Sequence, residues 1–154
     1  MYARDLVEPF PTVGVDADAT EAVKIMSDGR LPGVIVCDGA GNPFTVLSGS
    51  EVLRFVIPRY VQDDPALARA YDEKASDQLY ARLAGRTVRD LLPAKPDVDD
   101  LPVVDQDATT IEVAALMARL GSPMVAVIDG NRLLGAITVS RLVGHWTPDA
   151  PDRP

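Results

Sequence analysis

The sequence predicts an α/β (α+β) protein: two copies of a βαββα unit packed by a pseudo-twofold axis, with a helical insert between them. Three observations lead there. The first is an internal repeat, the sign of duplicated architecture. At an offset of 91, Phe10–Asp38 overlays Leu101–Asp129 without a gap, and ten of the 29 columns are identical. The second is what flanks the copies. Arg4-Asp5-Leu6 precedes one and Arg89-Asp90-Leu91 the other, while Phe44–Ser48 matches Leu134–Thr138 with one residue of slippage. The third is the apolar character of the strands, which leaves neither half able to stand exposed.

Each element follows from local chemistry. Thr12–Val15 and Val103-Val104 are short apolar stretches ahead of an acidic residue, Asp16 or Asp107, placed to cap a helix N-terminus. The helices are expected over roughly 17–28 and 108–120, stopped by Gly29 and Gly121. Met26 and Met117 fall on their apolar faces and belong to the core. The β-branched runs Val34–Asp38 and Val125–Asp129 have the length of buried strands. Asp38–Asn42 and Asp129–Asn131 suit hairpin turns into second strands at Phe44–Ser48 and Leu133–Thr138. Short helices at about 50–57 and 140–146 complete the units.

Pro58–Arg86 has no counterpart in the repeat. Asp64-Pro65 reads as a helix start, and Leu67, Tyr71, Ala75, Leu79 and Leu83 form one stripe of an amphipathic helix ending at Gly85. The expected organisation is a first repeat at 2–57, a helical insert at 58–86 packed on the module, a second repeat at 87–146 and a disordered tail at 147–154. Asp97–Asp100 reads as solvated loop.

Composition narrows the function. The 154 residues carry 23 acidic against 15 basic side chains, a net charge of −8, with no basic run and few aromatics. Nucleic acid is therefore a poor partner. One cysteine, Cys37, and one histidine, His145, leave little material for a disulfide, a zinc site or a hydrolytic triad. No nucleophile–base pair or Gly-rich phosphate loop is visible, which argues against an enzyme. No apolar run approaches the ~18 residues of a membrane span, so the expectation is a soluble, cytoplasmic protein without direct membrane insertion.

The duplicated βαββα unit resembles a tandem pair of cystathionine-β-synthase (CBS) domains, the Bateman module. The residues that carry the resemblance are the Arg-Asp-Leu tripeptides, Thr12–Ala17, Asp107-Ala108-Thr109, the Pro-x-Val-x-Val-x-Asp strands, and Gly135–Arg141 after the last strand. The resemblance implies a regulatory module that needs no cofactor. It implies two clefts for adenosyl ligands (AMP, ADP, ATP or S-adenosylmethionine), and a bound state signalled to a client transporter, channel or enzyme. A ligand-free module that mediates assembly is the alternative.

In the family arrangement, a cleft joins the exit motif of one copy to the first strand and pre-strand loop of the other. Cleft A then combines Ser48, Ser50 and Glu51 with Val103, Ser122, Pro123 and Met124. Cleft B combines Thr138, Ser140 and Arg141 with Thr12, Val13, Leu31, Pro32 and Gly33. The family's ribose-binding acid is Glu51 in one copy and Arg141 in the other, and only a carboxylate accepts from ribose hydroxyls. Each residue also has a plainer reading. Ser48 and Thr138 can cap helices, Glu51 can favour a helix dipole, and Arg141 can be an ion-pair partner. Apolar residues all round the second-copy helix, Ile111, Ala114, Ala115 and Ala118 on one face, point to a homodimer.

Overall fold

The computed structural model describes residues 1–93 and 101–147. The expected loop at Asp97–Asp100 lies outside the described residues, as does all of the expected tail beyond Thr147. The first repeat contains β1 (Thr12–Gly14), α2 (Ala19–Gly29), β2 (Gly33–Cys37), β3 (Pro43–Ser48) and α3 (Gly49–Val56). The second contains β4 (Val103–Asp105), α7 (Thr110–Leu120), β5 (Met124–Asp129), β6 (Arg132–Thr138) and α8 (Val139–Trp146). Each repeat forms a three-stranded sheet, β1-β2-β3 or β4-β5-β6, with β2 or β5 in the centre. The first pairing is parallel and crosses over through the helix, and the second is an antiparallel hairpin.

The two sheets face each other. Ile35 and Val46 of the first copy and Met124, Ala126 and Ala136 of the second form one buried cluster between them. The outer faces carry separate cores under the helices: Met26 with Val34, Val36 and Leu47, and Met117 with Val125, Val127 and Ile137.

The Arg-Asp-Leu segments form single-turn helices, α1 (Ala3–Leu6) and α6 (Val88–Leu91), and each completes the core of the opposite half. Ala3 and Leu6 are buried in the second-repeat core, and Val88 and Leu91 in the first. The exchange is reciprocal in its hydrogen bonds. Val88 N–H donates to Ala17 O (2.9 Å) and Arg89 N–H to Val15 O (2.9 Å); Ala3 N–H donates to Ala108 O (2.8 Å) and Arg4 N–H to Gln106 O (3.0 Å). Matching contacts in both directions are what a twofold operation produces.

This exchange corrects the expected caps. The helices begin at Ala19 and Thr110, later than expected, with Asp18 and Thr109 at the cap positions. Asp16 and Asp107 stand in the turns before them and pair with the exchanged arginines. Arg89 Nε lies 3.2 Å from Asp16 Oδ1, and Arg4 bonds Asp107. The first helix stop is also displaced by one residue. Gly29 is the last helical residue, and Arg30 takes the left-handed conformation at φ +51°, where Gly121 stands in the second copy at φ +61°.

The insert is not one continuous helix. It comprises α4 (Arg59–Asp63), a 3₁₀ segment at Pro65–Ala70, α5 (Glu73–Tyr80) and a 3₁₀ turn at Ala81–Leu83. The Asp72 carboxylate accepts from Ala75 N–H at 2.8 Å and starts α5 afresh, which interrupts the four-residue stripe. Leu67 is exposed, while Val61 is buried and Leu83 packs on the first-repeat core. Arg82 donates to Val56 O at 3.2 Å and lies over the Phe55 ring with Arg86.

Candidate functional site

A cavity of about 1190 Å³ opens between the end of the first sheet and the helices of the second repeat. Its polar side is built where β3 turns into α3. The Ser48 side chain caps that helix, with Glu51 N–H donating to Ser48 Oγ at 3.4 Å. Ser48 Oγ also lies 3.3 Å from Glu51 Oε1 and can donate to it. Ser50, Arg54 and Arg89 complete this side, and Ser122 and Pro123 stand across from it. The apolar side comes from α7 and α8, chiefly Met117, Leu142, Val143 and Trp146.

Glu51 is the chemically unusual group. Its Oε2 is buried and has no hydrogen-bond partner among the described residues. Burial pushes the carboxyl above its ordinary value, against the Ser48 hydrogen bonds and the nearby Arg54 charge, which pull it down. An acceptor buried without a partner is costly, and a donor brought to this wall would relieve that cost.

Five of the seven residues expected in cleft A therefore share one cavity: Ser48, Ser50, Glu51, Ser122 and Pro123. Met124 does not line it. Met124 is fully buried between the sheets, where Val103 packs against the same cluster. Ser48 thus serves twice, holding the helix end and touching the Glu51 carboxylate. Arg54 and Arg89 were missed by sequence reasoning. Arg54 had a legible signal, since a residue three after Glu51 on a helix shares its face.

The cleft B residues do not line this cavity. Thr138 caps α8 through Arg141 N–H at 3.2 Å, and Ser140 Oγ lies 3.1 Å from Thr138 Oγ1. Thr12 is exposed on β1, and Val13 is buried in the first core. Leu31 and Pro32 are half-buried, with Pro32 O accepting from Gly49 N–H at 3.1 Å. Gly33 is buried where an added Cβ would stand 2.5 Å from Leu47 O. Arg141 is engaged with the N-terminal segment. Its Nε lies 3.7 Å from Glu8 Oε1 and 3.4 Å from Leu6 O.

Other chemistry is sparse. Burial and the adjacent Asp38 charge push the Cys37 thiol up, away from thiolate reactivity. His145 and Trp146 are exposed at the end of α8. Among the described residues no cluster of His, Cys, Asp and Glu could hold a metal, and no helix is long and apolar enough to cross a membrane.

Comparison with known proteins agrees with this architecture. The CBS domain family model matches residues 3–57 and 88–146. A CBS domain-containing protein of unknown function from Kribbella flavida is 52% identical, with a TM-score of 0.74 over 94% of this chain and 97% of that one. CBSX2 from Arabidopsis thaliana is 18% identical, with a TM-score of 0.69 over 94% and 92% of the two chains. A structure of CBSX2 in complex with AMP, also 18% identical, gives 0.63 over 94% of each. No curated protein matches. With two matched segments, a duplicated βαββα unit and facing sheets, the chain belongs to the CBS domain family as a tandem pair.

Proposed function

We propose that the protein is a non-enzymatic regulatory module that binds an adenosyl ligand (AMP, ADP, ATP or S-adenosylmethionine) in the cavity beside α3. The observation that carries this reading is Glu51 at the cavity wall, with a buried carboxylate oxygen that has no partner among the described residues. A carboxylate there accepts from the two cis hydroxyls of a ribose, and charge assistance strengthens both bonds. Arg54, Arg89 and Ser50 line the same cavity and offer donors to phosphate. Its apolar wall of Met117, Leu142 and Val143 suits a purine face. The AMP bound by CBSX2 supports the ligand class.

Thermal denaturation with a nucleotide panel tests the reading. A ligand at 100 times its dissociation constant stabilises the fold by about 2.7 kcal/mol, a rise of several degrees for a chain of this size. No shift with millimolar AMP, ADP, ATP or S-adenosylmethionine replaces the sensor with an assembly module that works without ligand.

Assembly has its own supporting observation. Ile111 on α7 is 68% exposed, and Val139, Val143 and Trp146 on α8 are 43%, 45% and 52% exposed. Ile111 lies outside the cavity lining, and its face of α7 is the surface proposed for a second copy of the chain, whereas Val139, Val143 and Trp146 belong to the cavity wall. The expected species at micromolar concentration is a homodimer, and a monomer mass by light scattering contradicts it. Relay of the bound state to a client transporter, channel or enzyme follows from this regulatory reading, as does residence in the cytoplasm.

A further inference from the structure

We infer that the second cleft is closed by the chain's own N-terminal strap, so that the module holds one ligand per chain and not two. The stoichiometry rests on the ligand reading above, whereas the closure does not.

The closure stands on three positions at which the copies differ together. Glu8 follows Arg4-Asp5-Leu6 as Pro93 follows Arg89-Asp90-Leu91. Glu8 N–H donates to Ala136 O at 3.0 Å, and Ala136 N–H donates to Glu8 O at 2.9 Å, which fastens the strap to the outer edge of β6. Proline has no N–H to give, so Pro93 cannot copy this pairing at Val46, the residue matching Ala136. Pro93 and Val46 line the open cavity instead.

The second position is Gly135, matched by Thr45. Gly135 has φ +150°, and an added Cβ would stand 2.0 Å from Glu8 O. Only glycine allows the strap so close. Thr45 carries a β-branched side chain there and lines the cavity. The third is Arg141, matched by Glu51. Arg141 holds the strap through Leu6 O and Glu8, whereas Glu51 has an acceptor left over. Among the described residues, one cleft thus keeps an unpartnered carboxylate oxygen and open space, while the other has its cation, its sheet edge and its close-approach glycine all committed to residues 6–8.

Amide hydrogen exchange on the ligand-free protein and calorimetric titration with AMP test this together. The Ala136 amide is expected to exchange at least tenfold more slowly than that of Val46. Glu8→Pro removes the bond from Glu8 N–H to Ala136 O and loosens the strap, so the protection of the Ala136 amide is expected to fall. Wild type takes up one AMP per chain, and Glu8→Pro combined with Arg141→Glu gains a second. Equal exchange at Ala136 and Val46, or two AMP per wild-type chain, overturns the inference. A silent titration removes the ligand reading of the cavity, and slow exchange at Ala136 then upholds the strap on its own.

Discussion

The two repeats share strand order, register and a hydroxyl-capped helix after the hairpin, yet differ beside that helix. Next to β3 lies a cavity, and next to β6 lies the strap. Strand order and register do not separate them. A few side chains decide whether a duplicated scaffold presents a pocket or a filled groove, and they act through hydrogen-bond supply, allowed φ and charge sign.

The strongest way to break the contrast is to give β6 the residue that β3 has. Gly135→Thr combines a backbone conformation strained for any side chain with a Cβ driven into Glu8 O. Expected destabilisation is about 4 kcal/mol, read as a lower urea midpoint. The reverse change, Thr45→Gly, leaves the cavity open because Pro93 still lacks a donor.

A smaller effect belongs to Glu51. Glu51→Ala weakens AMP binding by about 1.5–3 kcal/mol, the loss of a charged hydrogen bond, whereas Arg141→Ala leaves AMP affinity unchanged. Titration calorimetry on both variants measures this. The same carboxyl gives the fold a pH dependence of known sign. Its folded pKa lies above the ordinary 4.5 because of burial. Between those two values the native state binds more protons than the unfolded one, so stability falls as pH rises through that window. Glu51→Gln removes this dependence and raises the melting temperature of the ligand-free protein at pH 7. AMP affinity runs the opposite way, rising as Glu51 loses its proton.

The smallest effect concerns helix ends. Arg30 holds a left-handed conformation that its counterpart Gly121 adopts freely. Arg30→Gly is expected to stabilise by about 1 kcal/mol, a rise of about 2–4 °C in melting temperature.

Much of this was legible in the sequence because the repeat supplied each element twice. The β-branched runs and hairpin turns located the strands to within a residue, and Ser48, Ser50 and Glu51 line one cavity, the grouping that the family resemblance implied. The displaced features have separate causes, a partner remote in the chain for Asp16 and local geometry for the others. Asp16 looks like a helix cap until Arg89 arrives from the other half. Gly29 looks like a left-handed stop, yet the chain turns at Arg30, and an added Cβ at Gly29 would stand 2.9 Å from Leu31 Cγ. The stripe from Leu67 to Leu83 reads as one helix because periodicity does not register that Asp72 caps a new start. Met124 reads as a pocket wall from its neighbours, but strand alternation turns it inward between the sheets.

The exchanged turns also bear on how such a chain could exist in half. Residues 87–146 alone would carry Val88 and Leu91, which fit the first-repeat core, and would lack Ala3 and Leu6, which fill the second. The remedy within reach is a second identical fragment donating its own α6 into that hole while receiving the same in return. A single copy of the unit is therefore expected to pair by reciprocal exchange of this turn. Joining two copies in one chain makes that pairing intramolecular, and its stability becomes independent of concentration.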